Sequence, residues 1–322
     1  MKRKLIKALL FLSMIALVII SGCAKSQTAQ APVEPSRTLP PHTGSIIDQV
    51  RLSNHNKMFT TMIAEKESTP SFKYSDECLK CHSEIAILYD KNAKVTDYFK
   101  GGKYADQREG ITCLVCHKIG GEKMVSLINT GWQTCNGCHT NGAVTLGKVI
   151  KYPQKEMIEG IGVGDVPSKP SYKWSAMNTT FSCVDCHVTN GQKHDFMVPG
   201  VTATYDPSGV TRTGTQLDYE EFKTTFNQEK CITCHYDPTD TINKTKLHQT
   251  EITTKLNTLK PKFDSWEKKL GSMDPKDPNV KLFNNARTYY SYVTADASKG
   301  AHNFALAKDL LDRADIEINK LK

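Results

Sequence analysis

Ten of the eleven cysteines in this 322-residue chain stand in five pairs of one form, two cysteines three positions apart with a histidine directly after the second. The five are Cys78-Leu79-Lys80-Cys81-His82, Cys113-Leu114-Val115-Cys116-His117, Cys135-Asn136-Gly137-Cys138-His139, Cys183-Val184-Asp185-Cys186-His187 and Cys231-Ile232-Thr233-Cys234-His235. Thiols at i and i+3 can reach the two vinyl groups of one porphyrin while the next histidine turns beneath the ring to meet iron, so this spacing is the pattern of covalent c-type haem attachment. Zinc ribbons use such pairs two at a time and do not require a histidine behind each one. A redox dithiol needs a single pair. The expectation is five covalently bound haem c groups, with the ten cysteines as thioether sites and His82, His117, His139, His187 and His235 as proximal iron ligands. Cys23 is the one cysteine left over, so the porphyrins rather than disulfides must staple the fold. They also supply core to a chain that is only 39% hydrophobic.

The sixth position on each iron separates a wire from an enzyme, because bis-histidine iron has no place for substrate. Ten histidines less the five in the motifs leave His42, His55, His194, His248 and His302 as candidate distal ligands. His302 opens the last helical segment, where a helix start can aim a ring inward. His194 follows His187 by seven residues, too short a path to circle a porphyrin comfortably, so it is expected to serve a different haem. His55 and His42 precede all five motifs. His248 sits among Lys246, Gln249 and Glu251, a setting that favours a solvated helix face over iron. Met58 and Met197 are substitutes that packing explains as well.

Residues 1–22 read as an export leader: Lys2, Arg3, Lys4 and Lys7 supply a basic start and Ala8 to Ile20 an apolar run too short to span a bilayer stably. The segment ends Ile20-Ser21-Gly22-Cys23, which resembles the lipobox of bacterial lipoproteins. That resemblance implies acylation of Cys23 and, with Ala24 next, an outer-membrane anchor. Residues 23–41, rich in Gln, Pro, Ser, Thr and Ala, read as a flexible tether. Removing the leader takes four basic side chains from the formal charge of +8, leaving +4, and no nucleic-acid footprint remains.

Residues 42–238 form the expected multihaem-binding region, short apolar runs broken by Gly and Pro with no sustained strand alternation. From 239 to 322 the texture changes. Ile252, Leu256, Leu259, Phe263, Trp266 and Leu270 make one helical stripe, with Pro261 as an expected kink. Phe283, Ala286, Tyr290, Val293 and Ala297 make a second, and Phe304, Ala307, Leu311, Ala314, Ile318 and Leu321 a third. The fold class predicted is mainly α, haem-wrapping loops and short helices followed by a C-terminal bundle of about three long helices packed on the haem core in the same domain. The stripes also offer a homodimer surface.

This order resembles that of the pentahaem cytochrome c nitrite reductases. In that family two N-terminal histidines precede five attachment motifs, a histidine follows the fourth motif, long helices follow the fifth, and a His-Asn pair opens the last helix. Here His42 and His55, the motif Phe181 to His187 with His194, the helices after His235, and His302-Asn303 take those places. The resemblance implies that four bis-histidine haems use His42, His55, His194 and His302, leaving the first haem to His248, another group or water. The family's catalytic set does not carry over. It places a lysine in its first motif where this chain has His82, and a Glu-Tyr pair after its third where this chain has Thr140, Asn141 and Gly142. The reading is an exported, lipid-anchored five-haem cytochrome relaying electrons between other c-type cytochromes or envelope electron-transfer proteins, in anaerobic or extracellular respiration. The alternative is a reductase of nitrite, hydroxylamine or another nitrogen or sulfur oxyanion at a five-coordinate haem. A conductive filament subunit is a third reading, which a lipid anchor disfavours.

Overall fold

Burial among the described residues gathers at two places, one within residues 59–98 and one that joins residues 150–172 to the C-terminal helices. In the computed structural model the described residues are 45–119, 125–127, 129, 131–172, 182–188, 194, 196–198, 201–205, 212–218, 220, 222, 237–271 and 274–322. All of them belong to one compact unit, Thr38–Lys322. The leader, the tether with Cys23, His42 and the fifth motif with Cys231, Cys234 and His235 lie outside them.

The first cluster is made by short helices. α1 (Ile46–Leu52) starts on a capping box, Ser45 with Asp48, that satisfies two otherwise orphaned amides. α2 (Asn54–Ser68) buries Phe59 and Ile63, four residues apart and so on one face. α3 (Asp76–His82) adds Leu79, α4 (Glu84–Leu88) adds Ile85 and Ala86, and a 3₁₀ turn, Val95–Tyr98, adds Val95 and Tyr98. Phe59 meets Tyr98 edge-on at 5.0 Å, and the buried Tyr98 hydroxyl shares a 2.6 Å hydrogen bond with Ser83, so the polar tip of this core residue is satisfied.

The second cluster is the C-terminal bundle. α9 (Pro238–Leu270) and α10 (Pro278–Asp296) both begin with an Asp cap and Pro at the first helical position, where the missing N–H is no loss. α11 (Phe304–Ile318) begins on Asn303, whose side chain accepts from the Leu306 amide. Its face Leu306, Ala307, Leu310, Leu311, Ala314 and Ile318 is almost fully buried against Ile252, Leu259 and Phe263 of α9 and Phe283, Ala286, Tyr289 and Val293 of α10. The fold is mainly α, as the three stripes predict. α9 continues through Pro261, because Leu259 and Phe263 on either side are held in the core and packing there offsets the lost backbone bond. Ion pairs Lys262–Asp315 at 2.6 Å and Lys308–Glu251 at 3.1 Å pin α9 to α11; exposed as they are, they set register more than stability.

Between α4 and α9 in sequence come α5 (Cys113–Cys116), α6 (Gly131–Asn136), α7 (Gln154–Glu159), whose Met157 is buried in the second cluster, and α8 (Cys183–His187). Two short antiparallel hairpins accompany them, β1 (His117–Ile119) with β2 (Val125–Leu127) and β3 (Val201–Tyr205) with β4 (Arg212–Leu217). The sequence reading named no strands here. Thr202, Thr204, Thr213 and Thr215 carry the β-branched alternation, but with polar residues on both phases it lacks the apolar period that marks a strand.

Candidate functional site

Each described motif is one helical turn with a cap. Cys78, Cys81 and His82 lie on α3, and the Asp76 carboxylate on the same helix accepts the Val95 amide at 2.7 Å, tying the motif to the first core. Cys113 and Cys116 bound α5, capped by Thr112, and His117 opens β1. Cys135 lies on α6, and Cys138 and His139 continue its turn through amide bonds back to the Cys135 carbonyl at 3.2 and 2.9 Å. Cys183, Cys186 and His187 form α8, capped through Ser182 and Asp185. The turn brings each motif's first and second sulfur to one side, as attachment to a single porphyrin requires. All eight described cysteines are half-buried and none is in a disulfide.

The histidines converge in pairs drawn from distant parts of the chain. The His55 and His139 rings lie 5.9 Å apart between centroids, His117 and His194 6.1 Å, and His187 and His302 6.3 Å. Two imidazoles bound to one iron at about 2.0 Å each, with ring centres about 1.1 Å behind the nitrogens, stand roughly 6.2 Å apart. Any angle between the ring planes is allowed, since both contain the nitrogen–iron axis. The residues therefore fit bis-histidine haem iron at three places. His194 faces the second motif and not the fourth beside it in sequence. Burial, with His139 next to it, pushes His55 down to about 3, and burial, with His302 next to it, pushes His187 down to about 4. Both rings are thus neutral, the form that ligates metal.

Local structure holds these rings. His55 stands in the first turn of α2, and its carbonyl accepts the Ile111 amide at 2.9 Å from the loop before the second motif. That approach needs Gly110, where a Cβ would lie 2.7 Å from the His55 and Asn56 carbonyl oxygens. The His194 amide donates to Gln49 of α1 at 2.7 Å. Asn303, buried, donates to the carbonyls of Met157 at 3.0 Å and Tyr172 at 2.7 Å while capping α11, so the helix start that carries His302 is fixed from three sides. Glu156, also buried, accepts the Asn141 and Gly142 amides and the Thr140 hydroxyl, which holds the turn after His139.

Two candidates behave differently. His248 stacks on Phe304 at 3.8 Å, nearly parallel, and is neither in open solvent nor opposite a motif histidine among the described residues. His82 meets the Tyr74 ring at 6.2 Å, and Tyr74 buries a hydroxyl that has no hydrogen-bond partner. Burial pushes the His82 ring down and the Tyr74 phenol up, so both are neutral.

Several residues escaped the sequence reading. Phe196 touches His55 at 4.2 Å and His194 at 6.2 Å, and its carbonyl lies 3.0 Å from His187 Nδ1. Asp296, almost fully buried, binds His302 Nδ1 at 2.6 Å. Burial opposes charge on His302, yet the carboxylate beside it raises the ring above its usual range. An acidic residue six positions before a candidate ligand is the signal that could have found Asp296; Phe196 leaves none. The thiols also touch across motifs, Cys81 with Cys138 and Cys135 with Cys183, while Cys116 lies near both Cys135 and Cys138. The third motif is thus in contact with the first and the fourth.

No family model matches the chain, and no curated protein matches it. Among solved structures it is similar to the outer cell wall cytochrome OcwA, at 24% identity and a TM-score of 0.60 over 89% of this chain and 52% of that one. It is similar to the undecahaem cytochrome from the S-layer of Carboxydothermus ferrireducens, at 25% identity and a TM-score of 0.51 over 84% and 41%. A cytochrome c nitrite reductase from Desulfovibrio desulfuricans aligns at 15% identity and a TM-score of 0.48 over 77% and 64%. The chain spans about half the length of the first of these and less of the second. On fold, motif and histidine geometry together, the chain is built as a multihaem c-type cytochrome.

Proposed function

We propose that the chain is a five-haem c-type cytochrome that relays single electrons at the cell envelope. The observation that carries this is the set of three histidine pairs at iron-bridging separation, each joining a motif histidine to one from elsewhere. When bound, haem supplies one-electron Fe(III)/Fe(II) chemistry. His55 with His139, His117 with His194 and His187 with His302 would hold iron between them and would leave no open position for substrate at those three sites. His42 is left for the haem of His235. The ten motif cysteines hold the porphyrins, and the contacts between thiols of different motifs bring porphyrin edges close enough for exchange along the order first, third, fourth, with the second beside the third. Export, acylation of Cys23 and a place at the outer membrane follow from the leader. The two similar cytochromes named for a cell wall and an S-layer support an envelope setting and partners that are themselves cytochromes.

One observation favours a second reading. His248 is engaged with Phe304, so the haem on Cys78 and Cys81 is left with His82 and a neighbouring phenol. An open position there would admit a small nitrogen or sulfur oxyanion. One measurement tests both readings. Intact mass gives the haem count, and low-temperature electron paramagnetic resonance gives the spin states. Five haems with at least four low-spin support the relay, and fewer than five, or zinc, overturns it. A high-spin haem that turns over nitrite or hydroxylamine at tens per second with a reduced dye replaces the relay by the reductase.

A further inference from the structure

The turn joining α10 to α11 is built in a way that sequence alone would not call for. Ala297 and Lys299 have φ of 60° and 53°, and with Phe196 at 61° they are the non-glycine residues with positive φ among the described residues. Side chains with a Cβ pay about 1 kcal/mol or more for this region, so such positions persist where the surroundings over-determine them. All three flank the same pair of rings. Phe196 presents its carbonyl to His187 Nδ1 at 3.0 Å, and the Ala297–Lys299 turn folds Asp296 back onto His302 Nδ1 at 2.6 Å. Ser298 locks this turn, donating its hydroxyl to the second Asp296 oxygen and accepting the His302 amide at 3.1 Å.

The two rings of this pair therefore have unequal partners. His187 has a neutral carbonyl. His302 has a carboxylate whose side chain is 1% exposed and which no Lys or Arg pairs among the described residues. For comparison, His117 Nδ1 is buried with no hydrogen-bond partner. A carboxylate on the far nitrogen makes imidazole a stronger donor to metal, and a buried negative charge favours the iron state with the larger positive charge. Both effects favour Fe(III) over Fe(II).

We propose that Asp296 is a positioning residue that holds His302 as a strengthened ligand and lowers the reduction potential of the haem on Cys183 and Cys186. This rests on the reading that His187 and His302 ligate that haem. Strain is spent here to place a buried charge against the far nitrogen of the ligand.

The experiment uses the full haem-loaded protein and its Asp296→Asn variant, which keeps shape and one hydrogen bond while removing the charge. Reduction is followed haem by haem by potentiometric titration with magnetic resonance detection. The step of the Cys183–Cys186 haem is expected to move to higher potential by at least tenfold in its reduction equilibrium, 59 mV per tenfold for one electron, with every spin state unchanged and the other steps within a factor of two. Asp296→Glu should recover part of the shift. Ser298→Ala removes a donor that quiets the carboxylate and should move the same step the other way. An unmoved step for that haem in Asp296→Asn overturns the proposal, as does movement of a different step instead or a Ser298→Ala shift in the same direction. His302→Ala tests the underlying ligation separately. If it leaves the count of low-spin haems unchanged, the ligand reading fails whatever Asp296→Asn does.

Discussion

At the scale of single residues, the spare histidines divide by what they touch. His194 faces His117, so His194→Ala should turn one low-spin haem high-spin and let it bind cyanide, leaving the fourth motif's haem low-spin. Loss of the low-spin signal from the fourth motif instead would reverse the pairing. His248 stacks on Phe304, and its removal should leave every spin state as it was while lowering stability by about 1 kcal/mol, the worth of a stacked aromatic pair, read by denaturant unfolding. The motif turns were legible in the sequence because covalent attachment demands a fixed spacing, and the four described motifs each form a helical turn. Asp296 and Phe196 were not, since their roles arise from backbone turns that only the folded chain over-determines.

Among elements, the bundle was the most legible part. The stripes of α9, α10 and α11 recur at helical period, and Asp-Pro and Asn starts mark where they begin. Ala297 of the second stripe proved to be the left-handed cap after α10 and not part of its face. What the stripes did not show is how the bundle meets the region before it, where Ile150, Met157, Val163, Val166 and Tyr172 enter its core and Thr288, Ser291, Tyr292 and Asn303 bond to backbone there. Asn303→Ala removes the α11 cap and takes a donor from the Tyr172 and Met157 carbonyls, of which Met157 keeps the Gly160 amide, so it should cost about 2–4 kcal/mol and loosen His302, seen as a lower unfolding midpoint with partial loss of one low-spin signal. Gly110→Ala should act at the other end of the array. Its Cβ would press the His55 carbonyl, and the expected result is about 1–3 kcal/mol of destabilisation together with a disturbed third-motif haem. A Gly110→Ala protein of unchanged stability and spectrum would show that the loop yields without cost.

For the whole molecule, apolar burial falls into two clusters, around α2–α4 and around α9–α11, and no disulfide ties the described cysteines. The space between the paired rings is where porphyrin would supply the missing core. Chain produced without haem attachment should therefore keep helical far-ultraviolet signal but lack a cooperative thermal transition, which calorimetry would reveal. A sharp transition in the haem-free chain would mean that the protein core suffices alone.

The reach of the histidine pairs has a further consequence, for the timing of maturation. On the proposed pairing His55 is already in place when His139 arrives, whereas His117 and His187 would be completed only by His194 and His302, 77 and 115 residues further along the chain. A ribosome or export channel delivers the chain in order, and contacts between such distant residues form late. The second and fourth attachment motifs would thus emerge into a chain that cannot yet close around them. The delay leaves both thiols open to whatever machinery adds haem, and the last long helix to arrive seals the fourth site behind it.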